Sequence, residues 1–187
     1  MIAVIQGSNR RGNATRPVVD AITNYLSAQA ETSVVIDLEE LPGTVLHRDM
    51  YESDRADLYL DEAAKVLRQA DRWIFVFPEY NGSFPGALKL FIDALSVRDY
   101  KTLFGHKLTA LIGTASGRAG NLRGIDHLTG VLHHLGSTVM PQAMPISLID
   151  GLLNEQNEFA DAEALSTLHQ YLDRYLSYSS AMTASAG

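Results

Sequence analysis

The sequence predicts an α/β domain: a doubly wound, five-stranded parallel sheet in the order 2-1-3-4-5, with helices on both faces. Three observations lead there. Five short apolar runs rich in β-formers recur along the chain, most of them continuous rather than alternating, as strands read when both faces of a sheet are covered. Between and after them come stretches whose apolar residues repeat at helical spacing. That strict alternation requires parallel strands joined by right-handed crossovers, and 187 residues suit one such domain and are short for two.

The elements follow in order. Ile2–Ile5 is the first strand, and Val18, Ile22 and Leu26 form the stripe of the first helix. Val34–Ile36 comes next, followed by Leu60, Ala63, Ala64 and Leu67 at i, i+3, i+4, i+7. Trp73–Phe77 precedes Leu88, Phe91, Ile92 and Leu95, which keep the same spacing. Leu108–Ile112 leads to a longer stripe of Leu122, Ile125, Leu128, Leu132 and Leu135. Thr138–Met140 is the fifth strand, and Leu165, Leu168, Leu172 and Leu176 supply the last helix. No repeat or low-complexity linker interrupts the pattern, so residues 1–178 read as one domain and the small, polar residues 179–187 as a flexible tail.

Composition excludes several classes of function. There is no cysteine, which removes disulfides, thiolate metal sites and a cysteine nucleophile together. With 15 basic and 22 acidic residues the formal charge is −7, which argues against nucleic acid or an anionic membrane as partner. The apolar start, Met1–Ile5, stops at Gln6-Gly7, too soon for a signal peptide or a membrane span, so the expected compartment is the cytoplasm. Five of the six histidines lie in or beside predicted helices and strands without triad or metal spacing. His133 and His134 are adjacent and point apart on a helix. His47, Arg48 and Asp49 form a loop cluster, a candidate pocket wall, and no metal is expected.

In a sheet of this order, ligands sit beyond the carboxyl ends of the strands, near the reversal between strands 1 and 3. Three loops are thereby nominated: Gly7–Arg16, Pro78–Pro85 and Thr114–Gly120. The first leaves a buried strand and enters a helix, with Pro17 in its first turn, where free N–H groups and the helix dipole favour an anion. The hydroxyls of Ser8 and Thr15, the amide of Asn13 and a guanidinium would complete a phosphate shell, and three arginines stand within seven residues. Neither G-x-G-x-x-G nor a full triphosphate loop is present. Gly7 and Gly12 have the latter's spacing, but Asn13 and Ala14 replace its Lys and hydroxyl. A terminal phosphomonoester, as on a mononucleotide cofactor, remains.

The second loop, Pro78-Glu79-Tyr80-Asn81-Gly82-Ser83-Phe84-Pro85-Gly86, is stiffened by two prolines, while Gly82 and Gly86 open conformations closed to other residues. With Tyr80 at its middle it suits the edge of a planar heterocycle, and equally a plain strand-to-helix turn. The third, with Ser116, Gly117 and Arg118, has small side chains that let a ligand approach the backbone. Arg118 would neutralise negative charge on a reduced ring or face solvent.

These motifs resemble the NADPH-dependent FMN reductases of flavodoxin-like fold, a family that includes quinone, azo-dye and chromate reductases. The matching residues are Gly7-Ser8-Asn9-Arg10, then Pro78-Glu79-Tyr80-Asn81-Gly82-Ser83 with Pro85-Gly86-Ala87-Leu88-Lys89, and Ser116-Gly117-Arg118-Ala119-Gly120. The resemblance covers about residues 1–140, and the middle motif is its most specific part. It implies FMN, with Ser8, Arg10, Asn13 and Thr15 at the phosphate and Pro78, Glu79, Tyr80, Asn81 and Gly82 along the ring edge. Asn81 would act through its backbone or its side chain. Ser116, Gly117 and Arg118 would pack beside the ring. The chain departs from the pattern at Asn13, where the family often has Ser, and at Leu90 and Ala94, where it commonly has Asn and Trp. A homodimer or homotetramer is implied as well.

A bound flavin performs hydride transfer itself, so no catalytic side chain is needed. The expected cycle is ping-pong: NADPH or NADH delivers hydride and leaves. A small acceptor then takes the electrons in the same slot, whether a quinone, an azo compound, a metal oxyanion or free flavin. Two rival readings keep the flavin: a flavodoxin-type electron carrier, and a non-catalytic flavin-binding module. The arginine-rich first loop favours the reductase over the carrier.

Overall fold

The layers of the molecule follow from the two-residue period of its strands. The computed structural model describes residues 1–52 and 56–185. Strands β1 (Ile2–Gln6), β2 (Ser33–Asp37), β3 (Arg72–Pro78) and β4 (Leu108–Thr114) are parallel neighbours in the order β2-β1-β3-β4. Alternate side chains point to opposite faces. Ile2 and Val4 of β1, with Ile74 and Val76 of β3, pack on α1 (Thr15–Ala28) and α5 (Ala162–Ser185). Ala3, Ile5, Trp73, Phe75 and Phe77 pack on the other face with α2 (Leu58–Gln69), α3 (Gly86–Phe104) and α4 (Leu122–His134). Continuous apolar strands thus serve two cores, which is why their sequence does not alternate.

The fifth position in the sheet departs from the expected single strand at Thr138–Met140. It is divided into β5 (Thr138–Val139), paired with Leu108 and Thr109, and β6 (Met144–Ile146), paired with Ile112 through Thr114; both run parallel to β4. Pro141 lies in the interruption and has no N–H to give a ladder. Leu111 faces the gap, and the Tyr171 hydroxyl of α5 fills it, accepting from the Leu111 N–H and donating to the Leu111 carbonyl, each at 3.2 Å.

The helical stripes lie as their periodicity requires, with two adjustments. Leu122 is 53% exposed, because it opens α4 and the buried stripe begins one turn later at Ile125. α5 continues through Ser185 with Ser179 buried, so the expected boundary after residue 178 falls inside a helix; residues 186 and 187 lie outside the described part. No helix among the described residues is long and apolar enough to cross a membrane.

Candidate functional site

The loop after β1 is braced by its own polar side chains. Ser8 is fully buried, its N–H held by the Gln6 side-chain carbonyl. Its Oγ accepts from the Arg10 N–H at 3.3 Å and lies 3.1 Å from the Tyr80 hydroxyl. Asn13 is also buried; its Oδ1 accepts from the N–H groups of Thr15 (3.2 Å) and Arg16 (3.0 Å), and its amide donates to the Arg10 carbonyl at 2.8 Å. It therefore caps α1 from one residue before Ala14, which has no capping group of its own. Thr15 Oγ1 lies 3.2 Å from Thr114 Oγ1, tying the helix start to the end of β4.

The three arginines of this loop are not equivalent. Arg16 is bound to Asp20 at 2.8 Å and Asp37 at 2.7 Å, and the hydrogen bond to Asp20 leads the effects that raise its pKa. Arg10 lines the cavity described below, whereas Arg11 is exposed and does not.

After β3, Tyr80 and Ser83 exchange both backbone hydrogen bonds, at 2.9 and 3.1 Å, around the pair Asn81-Gly82. Both central residues have positive φ (54° and 74°), the requirement of a type I′ turn that Asn-Gly meets best. Gly86 does not use its freedom in this way: it begins α3 directly after Pro85, outside the left-handed region. The Glu79 N–H donates to the Thr114 carbonyl at 2.8 Å, and Glu79 Oε1 accepts from the Gly82 N–H at 3.3 Å. Ser83 Oγ lies 2.9 Å from His127 Nδ1 of α4.

These loops enclose a cavity of about 380 Å³ at the carboxyl ends of β1, β3 and β4. Arg10, Gly12, Asn13, Ala14 and Thr15 form one end, Pro78, Glu79 and Tyr80 a second wall, and Thr114, Ala115 and Ser116 a third. Of the twelve residues expected at the site, Arg10, Asn13, Thr15, Pro78, Glu79, Tyr80 and Ser116 line it. Ser8 lies beneath it, Asn81 and Gly82 form the turn beyond Tyr80, and Gly117 and Arg118 are exposed past Ser116. The fourth wall is absent from the sequence reading: Ile149, Asp150, Leu153 and Asn157, from the segment after β6. Its signal was the position rule itself, since this segment leaves the carboxyl end of the strand next to β4. The His47–Asp49 cluster, an exposed pair 3.1 Å apart, does not line the cavity.

The donor set fits a phosphorylated planar cofactor. Among the described residues no protein acceptor takes the N–H groups of Gly12, Asn13 or Ala14, which stand at the positive end of α1 beside Arg10. The sequence profile of the family described as NADPH-dependent FMN reductase matches residues 1–149. The chain belongs to that family. The reductase is 29% identical over 182 residues to a 2-hydroxy-1,4-benzoquinone reductase of a Burkholderia species, covering 95% of this chain and 94% of the other. It is 31% identical over 140 residues to a quinone reductase of Escherichia coli strain K12 (74% and 72% covered). It is 25% identical over 183 residues to an NADPH azoreductase of Bacillus sp. strain OY1-2 (96% and 92% covered). In fold it is similar to the flavoenzyme NAD(P)H:(acceptor) oxidoreductase from Paracoccus denitrificans, with TM-score 0.77, 22% identity and 94% of both chains covered. An archaeal flavodoxin shares the architecture at TM-score 0.56 and 18% identity, covering 91% of this chain and 93% of its own. The reductase is an oxidoreductase of FMN, with NAD(P)H as its co-substrate.

Proposed function

We propose that the reductase passes electrons from NAD(P)H to small acceptors, quinones first among them, in a ping-pong cycle at one slot. The observation that carries this reading is the cavity with a cationic, amide-lined end and a flat end walled by Tyr80 and the backbone from Pro78 to Glu79. Arg10, Thr15 and the free N–H groups of Gly12 to Ala14 bind the phosphate, while Ser8 and Asn13 hold that loop in shape. Pro78, Glu79, Tyr80, Asn81 and Gly82 border the ring edge, and Ser116, Gly117 and Arg118 lie at the open side where nicotinamide and acceptor alternate. Bound FMN supplies the centre that takes and gives hydride; the chain supplies position and electrostatics. Azo compounds, metal oxyanions and free flavin are further acceptors within this reading, and the homodimer or homotetramer and the cytoplasm remain its setting.

Anaerobic mixing tests the proposal. NADPH or NADH bleaches the bound flavin in the absence of acceptor, and a benzoquinone added afterwards restores its colour over many turnovers. Bleaching by neither dinucleotide overturns the reading, and a single stoichiometric reduction without turnover favours the non-catalytic flavin-binding module. Arg10→Ala removes one charge-assisted contact, worth roughly 1.5–3 kcal/mol. Fluorescence titration should therefore find FMN bound about 10- to 100-fold more weakly.

A further inference from the structure

The face of α4 that carries Arg123, Gly124 and His127 is seated on the turn of Tyr80–Ser83. His127 Nδ1 lies 2.9 Å from Ser83 Oγ. Arg123 Nη1 lies 3.7 Å from the point where a Cβ on Gly82 would stand. A Cβ on Gly124 would collide with Asn121 Oδ1 and stand 2.9 Å from the backbone nitrogen of Phe84, so only glycine allows this approach. Positions 123 and 127 are one helical turn apart and face the same way. Three consecutive residues of the second loop are therefore each matched by a residue of one helix face.

The inner side of the same turn is fixed separately, by the Glu79 N–H to the Thr114 carbonyl at 2.8 Å and by the Tyr80 hydroxyl 3.1 Å from Ser8 Oγ. The turn is thus clamped on both sides, and Arg123 is the cation that the outer clamp brings to it. No carboxylate among the described residues stands within ion-pair distance of Arg123, in contrast to Arg16, Arg72 and Arg98. Arg118 makes no such approach to the turn: its carbonyl accepts from Ser147 Oγ at 2.7 Å, and its side chain, like that of Arg123, is exposed and outside the cavity lining.

From this juxtaposition we infer that Arg123 is a positioning residue that favours the reduced over the oxidised state of the bound flavin, with His127 holding the turn against which it acts. The inference rests on the reading that this turn borders the flavin ring. Hydride carries two electrons and one proton, so its arrival adds one negative charge to the ring system. A fixed cation beside the ring edge stabilises that added charge and has little to gain from the neutral oxidised ring. Exposure of the guanidinium to solvent keeps the effect modest.

The test separates oxidised from reduced binding. FMN is titrated onto apoprotein by fluorescence, and the midpoint potential of the holoprotein is read against reference dyes. Arg123→Gln should leave the Kd of oxidised FMN within twofold and lower the preference for reduced FMN three- to tenfold. For a two-electron couple that is a fall of about 15–30 mV. Arg123→Glu should fall further, and Arg123→Lys should keep the wild-type potential. Ser83→Ala and His127→Ala should weaken oxidised and reduced FMN alike, and the double variant should be no worse than the weaker single, since both remove one contact. An unchanged potential in Arg123→Gln and Arg123→Glu, with FMN still bound, overturns this inference and leaves the proposed function standing. Wild-type protein that binds no FMN overturns the proposed function itself.

Discussion

A single hydroxyl repairs the weakest point of the sheet. Burial pushes the Tyr171 phenol above its ordinary pKa, so it stays protonated and keeps both a donor and an acceptor for Leu111. Tyr175, one turn along α5, places its hydroxyl 3.0 Å from the Trp73 carbonyl and 3.1 Å from that of Leu108, holding β3 and β4 near their starts. Tyr171→Phe keeps the ring and removes the bridge, leaving one buried N–H and one buried carbonyl without a partner. At about 1–3 kcal/mol for each orphaned group, the variant should lose about 2–6 kcal/mol. Urea unfolding followed by the fluorescence of Trp73, which is fully buried, measures it. Tyr178→Phe, at an exposed position of the same helix, should stay within about 0.5 kcal/mol of wild type.

Among the elements, α4 bears most directly on the site, and Gly124 decides how close it stands. Gly124→Ala places a methyl group against Asn121 Oδ1 and the Phe84 nitrogen. Relief of that overpacking costs roughly 1–3 kcal/mol and moves the helix off the turn. The expected outcome is a lowered urea midpoint together with weaker FMN binding, and a stability loss with flavin affinity unchanged would show that the turn does not follow the helix. Sequence periodicity locates this helix because Ile125, Leu128 and Leu132 are all buried. Periodicity says nothing of Arg123 or His127, whose partners are about 40 residues away in sequence and on a different loop. β6 was illegible for a different reason: Met144-Pro145-Ile146 is three residues long and contains a proline, which reads as loop until β4 is there to receive it.

For the molecule as a whole, the carboxyl-end rule points to the ends of β1, β3 and β4, where the cavity lies, and residue chemistry nominates the loop after β1 as the end suited to an anion. What the rule left open was division of labour. Ser8, Asn13 and Arg16 all have the right chemistry for phosphate; in the structure Ser8 also braces the loop, Asn13 also caps α1, and Arg16 pairs with Asp20 and Asp37. Only three-dimensional competition for hydrogen-bond partners separates a ligand from a brace. The opposite end of the sheet carries the one prediction that is global. Glu31, in the connection between α1 and β2, takes both Arg72 nitrogens at 2.8 and 2.6 Å, closing a strap across β1 because Ser33 and Arg72 flank Ile2 in register. The Arg72 hydrogen bond leads the effects that lower the Glu31 pKa below its ordinary 4.5. A depressed carboxylate pKa contributes stability that is complete above the unfolded value and is lost as pH falls through the folded one. The pair is partly exposed, so its contribution is about 1 kcal/mol. Glu31→Gln should therefore be less stable than wild type by that amount at pH 7. The gap should begin to close near pH 4.5 and vanish at lower pH, once the carboxyl is protonated in both folded and unfolded chains. Flavin affinity at pH 7 should not change, because the cavity lies at the other end of the strands. Urea midpoints for both proteins at pH 7, 5, 4 and 3 decide it: a gap that stays constant across that series would place the stabilisation somewhere other than this ion pair.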